Sequence, residues 1–272
     1  DGTGLGLPFV QAVVEGAGGR IRAGDSELGG AQFTIQLPRV SAPADKEEKD
    51  QEPSFRVVVI GGVAAGPKIA AKVKRLRPDA DVTIVEKGRL LSYAGCGLPY
   101  YISGVVEDQR ELVSTHEGVL RGPSYFQRVK DVTAHNQTEA EEINLDNKRV
   151  RVRDLVSGEE QWLDFDKLAV ATGATPDVPP VPGVELDNIF TLHGVEHAEG
   201  IREHVSQNQA KDVVIVGGGL LGVEMTESLV SAGCRVTLVE KRDQLLDILD
   251  HEMADRVNEH MEEQGVRVLL NT

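Results

Sequence analysis

Residues 55–101 read FRVVVIGGVAAGPKIAAKVKRLRPDADVTIVEKGRLLSYAGCGLPYY, and the rest of the chain is understood from them. The run Val57-Val58-Val59-Ile60 is apolar, mostly β-branched and ends on Gly61-Gly62, the pattern of a buried parallel strand entering a tight turn. Ala64 to Leu76 follows as a helix, with small residues inside and Lys68, Lys72, Lys74 and Arg75 outside. Val82 to Val85 is the next strand and stops on Glu86. A strand, a glycine turn, a helix and a second strand closed by an acid form the dinucleotide-binding fingerprint. In such a unit the helix amino terminus and free backbone N–H groups take a pyrophosphate, and the carboxylate takes ribose hydroxyls. The candidate first nucleotide site is therefore Gly61, Gly62, Val63, Ala64, Ala65 and Gly66, with Glu86 and Lys87. Val63 stands where the fingerprint has its second glycine.

Moving outward, the same pattern returns without that departure. Val213-Val214-Ile215-Val216 leads into Gly217-Gly218-Gly219-Leu220-Leu221-Gly222, and the strand Arg235 to Val239 ends on Glu240. Between the two units lies Ala171-Thr172-Gly173, at the end of another apolar run. Two such units in one chain point to two nucleotide sites, the second built from Gly217, Gly219, Leu220, Leu221, Gly222 and Glu240.

Composition narrows the function classes. The 272 residues carry a formal net charge of −15, which argues against sequence-independent nucleic-acid binding because that needs a basic footprint. No apolar run approaches the roughly 20 residues of a membrane span, and no signal peptide opens the chain. Its 2 cysteines, Cys96 and Cys234, are too few for a disulfide framework, and the expected compartment is a reducing cytoplasm. The chain starts without Met and stops inside a strand beginning at Val266, as though cut at both ends.

Residues 1–40 follow a different plan. Asp1-Gly2-Thr3-Gly4-Leu5-Gly6-Leu7 is a glycine-rich loop before an amphipathic helix from Phe9 to Glu15, which Gly18-Gly19 ends. Arg20 to Ala23 and Gln32 to Leu37 alternate as two strands of a hairpin, with Leu28-Gly29-Gly30 turning between them. This stretch resembles the last part of a histidine-kinase ATP-binding domain. The boxes that complete an ATP site in that family lie upstream of residue 1, so no ATP binding is expected of the remnant alone. Ser41 to Ser54 is rich in charge, Pro and Ser and reads as a linker.

Beyond the cysteine loop, Glu107 to Leu112 and Thr115 to Tyr125 are polar and weakly periodic. Asn144 to Asp154 reads as strands around an Asp146-Asn147 turn, Ser157-Gly158-Glu159 turns again, and Trp162 to Leu168 leads into Ala169-Val170-Ala171. The prolines at 176, 179, 180 and 182 mark a domain crossing. Gly194 to Val205 and Asp250 to Gln264 are expected helices. His193 and His197 have the spacing of two metal ligands on a helix face, but no third ligand accompanies them; they read as a solvated face, and no metal is expected.

Cys96 sits in Ser92-Tyr93-Ala94-Gly95-Cys96-Gly97-Leu98-Pro99-Tyr100-Tyr101. Pro99 suits the first turn of a helix, and a cysteine just before that turn feels the helix's positive end, which favours the thiolate. A buried structural cysteine is the ordinary reading of a lone Cys; the flanking glycines and the position just past a nucleotide unit favour a redox role instead. Cys234, before a core strand, reads as inert filling.

Residues 55–272 resemble the amino-terminal half of a flavin-dependent coenzyme A-disulfide reductase, in the single-cysteine branch of the pyridine nucleotide-disulfide oxidoreductases. The V-I-G-G-V-A-A-G start, the S-Y-A-G-C-G-L-P-Y-Y loop, the A-T-G strand and the second glycine motif fall in that family's order. Gly95 stands where these reductases often carry Asn. The resemblance implies an α/β fold with tandem FAD- and NAD(P)-binding Rossmann-like domains of three-layer β/β/α type. Its expected boundaries are a kinase remnant over 1–40, a linker over 41–54, a first FAD-binding segment over 55–176 and an incomplete NAD(P)H-binding domain over 177–272.

It further implies a relay. FAD would be held by the first site and Ala171, Thr172 and Gly173. NADH, or NADPH in its place, would sit at the second, and Cys96 would form a mixed disulfide or persulfide that reduced flavin resolves. Coenzyme A would lie along the first helix, with Lys72 and Arg75 meeting its phosphates and Ser92 near its thiol. Glu240 suits the free 2′-hydroxyl of NADH. Family members complete the flavin site with a later Gly-Asp segment and dimerise through a carboxy-terminal domain, so residues 1–272 alone are expected to be inactive and the longer protein to be a homodimer. Two other readings compete: an NADH oxidase or peroxidase in which Cys96 cycles through a sulfenic acid, and a redox-sensing module fused to a sensor histidine kinase.

Overall fold

The computed structural model describes residues 10, 14–15, 19–25, 31–37, 55–207 and 211–272. The Asp1–Leu7 loop, most of the helix expected over 9–15, the Leu28–Gly30 turn and the 41–54 linker lie outside the described residues. The chain forms two compact units, Asp1–Glu52 and Pro53–Thr272. In the first, β1 (Arg20–Asp25) pairs antiparallel with β2 (Ala31–Gln36), Arg20 opposite Gln36.

The second unit opens with β3 (Arg56–Ile60), α1 (Ala65–Leu76) and β4 (Asp81–Val85), followed by α2 (Leu98–Ser103) and α3 (Gln109–Val113). A helical turn over Pro123–Lys130 leads to β5 (Thr133–His135), then β6 (Thr138–Asn144), β7 (Arg149–Asp154), β8 (Glu160–Asp164) and β9 (Lys167–Val170). The remainder is α4 (Val195–Gln207), β10 (Asp212–Val216), α5 (Leu220–Ser231), β11 (Arg235–Val239), α6 (His251–Glu263) and β12 (Arg267–Leu269). These strands make a parallel sheet in the order β5-β4-β3-β9, an antiparallel meander β6-β7-β8, and a second parallel sheet β10-β11-β12.

Alternation along the strands produces the layers. Val57 and Val59 of β3, with Val82 and Ile84 of β4, pack with Ala70 of α1. Val58, Ile60 and Val85 point the other way, onto Val150 and Val152 of the meander and Phe165. Helix, parallel sheet and meander thus stack around β3, which is apolar on both faces because both are covered. β3 is also flanked by strands on both edges, so its glycine turn opens where the strand order reverses, the place at which this class of sheet binds ligands.

Several expectations need correction. Lys74 does not stand free on the outer face of α1: its Nζ donates to the carbonyls of Pro78 (2.8 Å) and Ala80 (2.9 Å) and pairs with Asp131 at 2.6 Å. Trp162 to Leu168 leads into the next core strand as expected, and the chain changes sheets within it. Phe165 plugs the core and the Arg56 N–H bonds Asp166 Oδ2 (2.7 Å), separating β8 from β9. The polar stretch from Glu107 contains α3, whose start is a capping box between Asp108 and Glu111. His193 lies before α4 rather than on it, and its N–H reaches His197 Nδ1 at 3.2 Å.

Candidate nucleotide sites and the Cys96 loop

At the first turn Gly61 has φ +108°, and an added Cβ would strike the carbonyl of Ala171, at the end of β9. A Cβ on Gly66 would strike the carbonyl of Gly61. The two glycines thus let α1 start against the end of β3. Ala64, the N-cap, offers no side-chain cap, and the first turn of α1 carries no acid, so the helix-terminal N–H groups are left for a ligand. Glu86 closes the cradle: Oε2 accepts from the Gly62 N–H at 2.5 Å and Oε1 from the Gly88 N–H at 2.6 Å. Gly61 to Gly66, the Glu86 carboxylate, Ala171 and the Thr172 N–H therefore gather around one turn, while Lys87, next in the chain, gives its Nζ to Glu139 at 2.7 Å. This donor-rich cradle suits the diphosphate and ribose of a dinucleotide.

The second turn repeats the construction. Gly217 again has φ +108°, and a Cβ on Gly222 would strike its carbonyl. Gly219 caps α5 with no side-chain bond, and Leu220, Leu221 and Gly222 form that helix's first turn. Glu240 Oε2 accepts from the Gly218 N–H at 2.6 Å and Oε1 from the Arg242 N–H at 2.8 Å. Burial works against ionisation of Glu240, but those backbone donors and the charges of Arg242 and Lys241 outweigh it and hold the carboxyl below its ordinary range.

The cysteine loop hangs from the first turn. The Ser92 N–H donates to the Gly62 carbonyl at 2.8 Å, and Ser92 itself is left-handed at φ +49°. Arg121 locks that kink, giving Nη1 to the Ser92 carbonyl (2.8 Å) and Nη2 to the Ser114 carbonyl (2.6 Å). Cys96 follows four residues later, exposed, in a 3₁₀ turn over Gly95–Gly97 that runs directly into α2, with Pro99 in its first turn. Four extended residues reach at most about 14 Å, which bounds how far Cys96 lies from Ser92 and the first turn. Cys234 is buried, and burial pushes its thiol pKa up.

From its far side the cysteine segment grips the second nucleotide unit. Leu98 and Ile102 of α2 share one core with Val195, Ala198 and Ile201 of α4 and with Met225 and Leu229 of α5. Glu199 accepts from Arg89 Nη2 (3.0 Å) and Gln109 Nε2 (2.6 Å), and Arg202 lies over the Tyr101 ring while donating to the Val106 and Glu107 carbonyls. Burial, then the nearby Glu196 and Glu86, raise the pKa of Tyr93 in this seam. Sequence reasoning missed Arg121, Glu199 and Arg202, since each has a partner 29 or more positions away that no local pattern marks. Of the coenzyme A candidates, Ser92 sits at the turn, while Lys72 and Arg75 are exposed farther along α1, about 10–15 Å from its start at 1.5 Å per residue.

Comparison with known proteins agrees with this fold. The family described as pyridine nucleotide-disulphide oxidoreductase matches residues 55–272. The chain is 35% identical over 221 residues to an NAD(P)H sulfur oxidoreductase (CoA-dependent) of Pyrococcus abyssi, covering 78% of this chain and 47% of that protein. It is 30% identical over 216 residues to a coenzyme A disulfide reductase of Staphylococcus haemolyticus, covering 79% and 47%. The solved structure of an NAD-dependent persulfide reductase from A. fulgidus superposes with a TM-score of 0.76 at 38% identity, over 80% of this chain and 40% of that one. The chain thus spans about half the length of the curated relatives it matches.

Proposed function

The chain belongs to the pyridine nucleotide-disulphide oxidoreductase family, and on that premise we propose that it carries the electron-relay part of an FAD-dependent NAD(P)H oxidoreductase that reduces coenzyme A disulfide, or a related persulfide or polysulfide, at Cys96. The observation that carries this reading is the suspension of the exposed Cys96 loop between two nucleotide cradles, tied to Gly62 by the Ser92 N–H and packed on α4 and α5 through α2.

In this reading the Gly61–Gly66 turn, Glu86, Lys87 and the Ala171–Gly173 segment hold FAD, and the Gly217–Gly222 turn with Glu240 holds NADH, with NADPH as the alternative. A flavin, when bound, supplies two-electron transfer between a dihydronicotinamide and a disulfide. Glu86 and Glu240, fixed by backbone donors, offer their remaining lone pairs to ribose hydroxyls. The uncapped N–H groups of α1 and α5 neutralise diphosphates. The Cys96 thiolate attacks one sulfur of the substrate, so that a mixed disulfide forms as the substrate S–S bond breaks and the first thiolate leaves. An electron pair from the nicotinamide donor then cleaves the mixed disulfide, which releases the second thiolate and restores Cys96. Lys72 and Arg75, about 10–15 Å along α1 from the turn that holds Ser92, suit the phosphates of an extended ligand such as coenzyme A.

We further read residues 1–40 as a histidine-kinase remnant, supported by the antiparallel β1–β2 hairpin, and 41–54 as its linker. The remaining boundaries are 55–176 for the flavin segment and 177–272 for the nicotinamide segment. The whole protein is read as a cytoplasmic homodimer.

The test is anaerobic NADH oxidation by the whole, flavin-loaded protein, since residues 1–272 alone are expected to be inactive, with coenzyme A disulfide or polysulfide as acceptor. Acceptor-dependent turnover that disappears in Cys96→Ser supports the proposal. Consumption of oxygen or peroxide with no disulfide acceptor would move the assignment to an oxidase or peroxidase.

A further inference from the structure

Beside Glu240 the second nucleotide cradle widens into a cleft of about 230 Å³ lined by Gly218, Gly219, Lys241, Arg242 and Asp247 among others. Position here means chemistry: the end of this strand is where the ribose 2′ group of a bound dinucleotide is met, by a carboxylate when it is a hydroxyl and by an arginine when it is a phosphate. This chain carries both. Glu240 stands at the strand end and is held in place by the Gly218 and Arg242 N–H groups, so it cannot turn aside for a phosphate. Arg242, two residues on, has the planar fork that suits a phosphate.

Arg242 is nevertheless committed elsewhere. Its Nη1 forms an ion pair with Asp247, on the loop that folds back over the glycine turn. That fold-back is fixed: the Leu246 N–H donates to the Gly218 carbonyl at 2.8 Å with Leu246 left-handed at φ +47°, and the side chains of Leu245 and Leu246 are buried. Asp247 is therefore carried to the cleft by a loop whose backbone is pinned at Leu246, with both side chains of the pair about half exposed. With it, the lining has two carboxylates against two cations and no net charge. Without it, the lining is positive and the guanidinium is released. A 2′-phosphate brings roughly −1.5 to −2 charges at neutral pH, so it is the ligand that registers this difference, while a neutral hydroxyl scarcely does.

We propose that Asp247 is a specificity-determining residue: by occupying Arg242 it withholds the cation a 2′-phosphate needs, and it turns a cleft with elements of both preferences toward the unphosphorylated nucleotide. The inference rests on the reading of Gly217–Glu240 as the pyridine-nucleotide site and goes beyond it by assigning the choice between the two nucleotides to a pair outside the glycine motif.

The test is calorimetric binding of ADP-ribose and of 2′-phospho-ADP-ribose to the 272-residue chain, neither of which needs flavin or turnover. The unchanged chain is expected to prefer ADP-ribose. Asp247→Asn is expected to tighten 2′-phospho-ADP-ribose by about fivefold to tenfold, the scale of one charge-assisted contact at a half-exposed position, and to leave ADP-ribose within about twofold. Arg242→Gln alone should shift the phosphorylated ligand by less than about twofold, since that guanidinium is already engaged. Added to Asp247→Asn, it should abolish the gain. Asp247→Ser, which also removes the charge, should reproduce Asp247→Asn. No gain in either Asp247 variant, a gain that survives in the double variant, or a wild-type preference for the phosphorylated ligand would overturn the proposal. Binding of neither ligand by the unchanged chain would instead overturn the nucleotide-site reading on which it stands.

Discussion

Glu86 and Glu240 hold equivalent places in two copies of one construction. Each carboxylate accepts, through Oε2, the N–H of the second glycine of its own turn, at 2.5 Å for Gly62 and 2.6 Å for Gly218. Each accepts through Oε1 from the second residue beyond itself, Gly88 or Arg242. The correspondence continues: Ser92 bonds the Gly62 carbonyl as Leu246 bonds that of Gly218, and both are left-handed. By the same register Cys96 falls where the second copy has Asp250, the N-cap of α6. The sulfur lies one residue before Gly97, the N-cap of α2, in the first of two like strand–turn–helix units.

The duplication makes the two sites separable by mutation. Glu86→Gln should weaken FAD binding by about tenfold, the scale of one charge-assisted hydrogen bond, and leave ADP-ribose binding near its starting value. Glu240→Gln should do the reverse. Calorimetry on both variants reads the crossover; parallel losses in each variant would mean the carboxylates support the fold and not separate ligands.

Gly66→Ala and Gly222→Ala each drive a methyl into a turn carbonyl. Each is expected to cost about 1–3 kcal/mol and to remove the nucleotide of its own turn. Denaturant midpoints together with flavin and ADP-ribose binding check this.

Ile84 is fully buried on the helix side of β4, and Leu76 is largely exposed at the end of α1. Ile84→Ala should therefore destabilise by about 2–5 kcal/mol through the transfer and cavity terms, and Leu76→Ala by less than about 0.5 kcal/mol. Chemical unfolding distinguishes them directly.

Glu240 carries a pH prediction. Its folded pKa lies below the ordinary 4.5, so the stabilisation it gives is present above the unfolded pKa and is lost as pH falls through the folded one. Following the Gly218 amide resonance through an acid titration should show a midpoint below 4.5. A midpoint at or above that value would mean the backbone donors do not outweigh burial.

Both glycine turns and both acid-ended strands were legible in the sequence because each is written in consecutive residues with a fixed local period. In the meander β7 was legible within Asn144 to Asp154, whereas the glutamate-rich β6 (Thr138–Asn144) was not. Lys74 was misread because three of its partners, Pro78, Ala80 and Asp131, are supplied by the return of the chain. The helix α3 was readable from Asp108 and Glu111, whose spacing is a capping signature, yet its short apolar face hid it. Arg121, Glu199, Arg202 and Asp247 have no local signature: their roles exist only once the loops that carry their partners are folded back.

The most direct test of the account is to treat the chain with coenzyme A disulfide under anaerobic conditions and weigh its peptides. If Cys96 is the sulfur that receives substrate, one coenzyme A per chain should appear in mixed disulfide on the Cys96 peptide, with one free coenzyme A released. Cys234, buried with its thiol pKa raised, should stay unlabelled, and Cys96→Ser should take up none. Labelling of Cys234 in preference to Cys96, or no adduct while a free thiol peptide reacts, would contradict it.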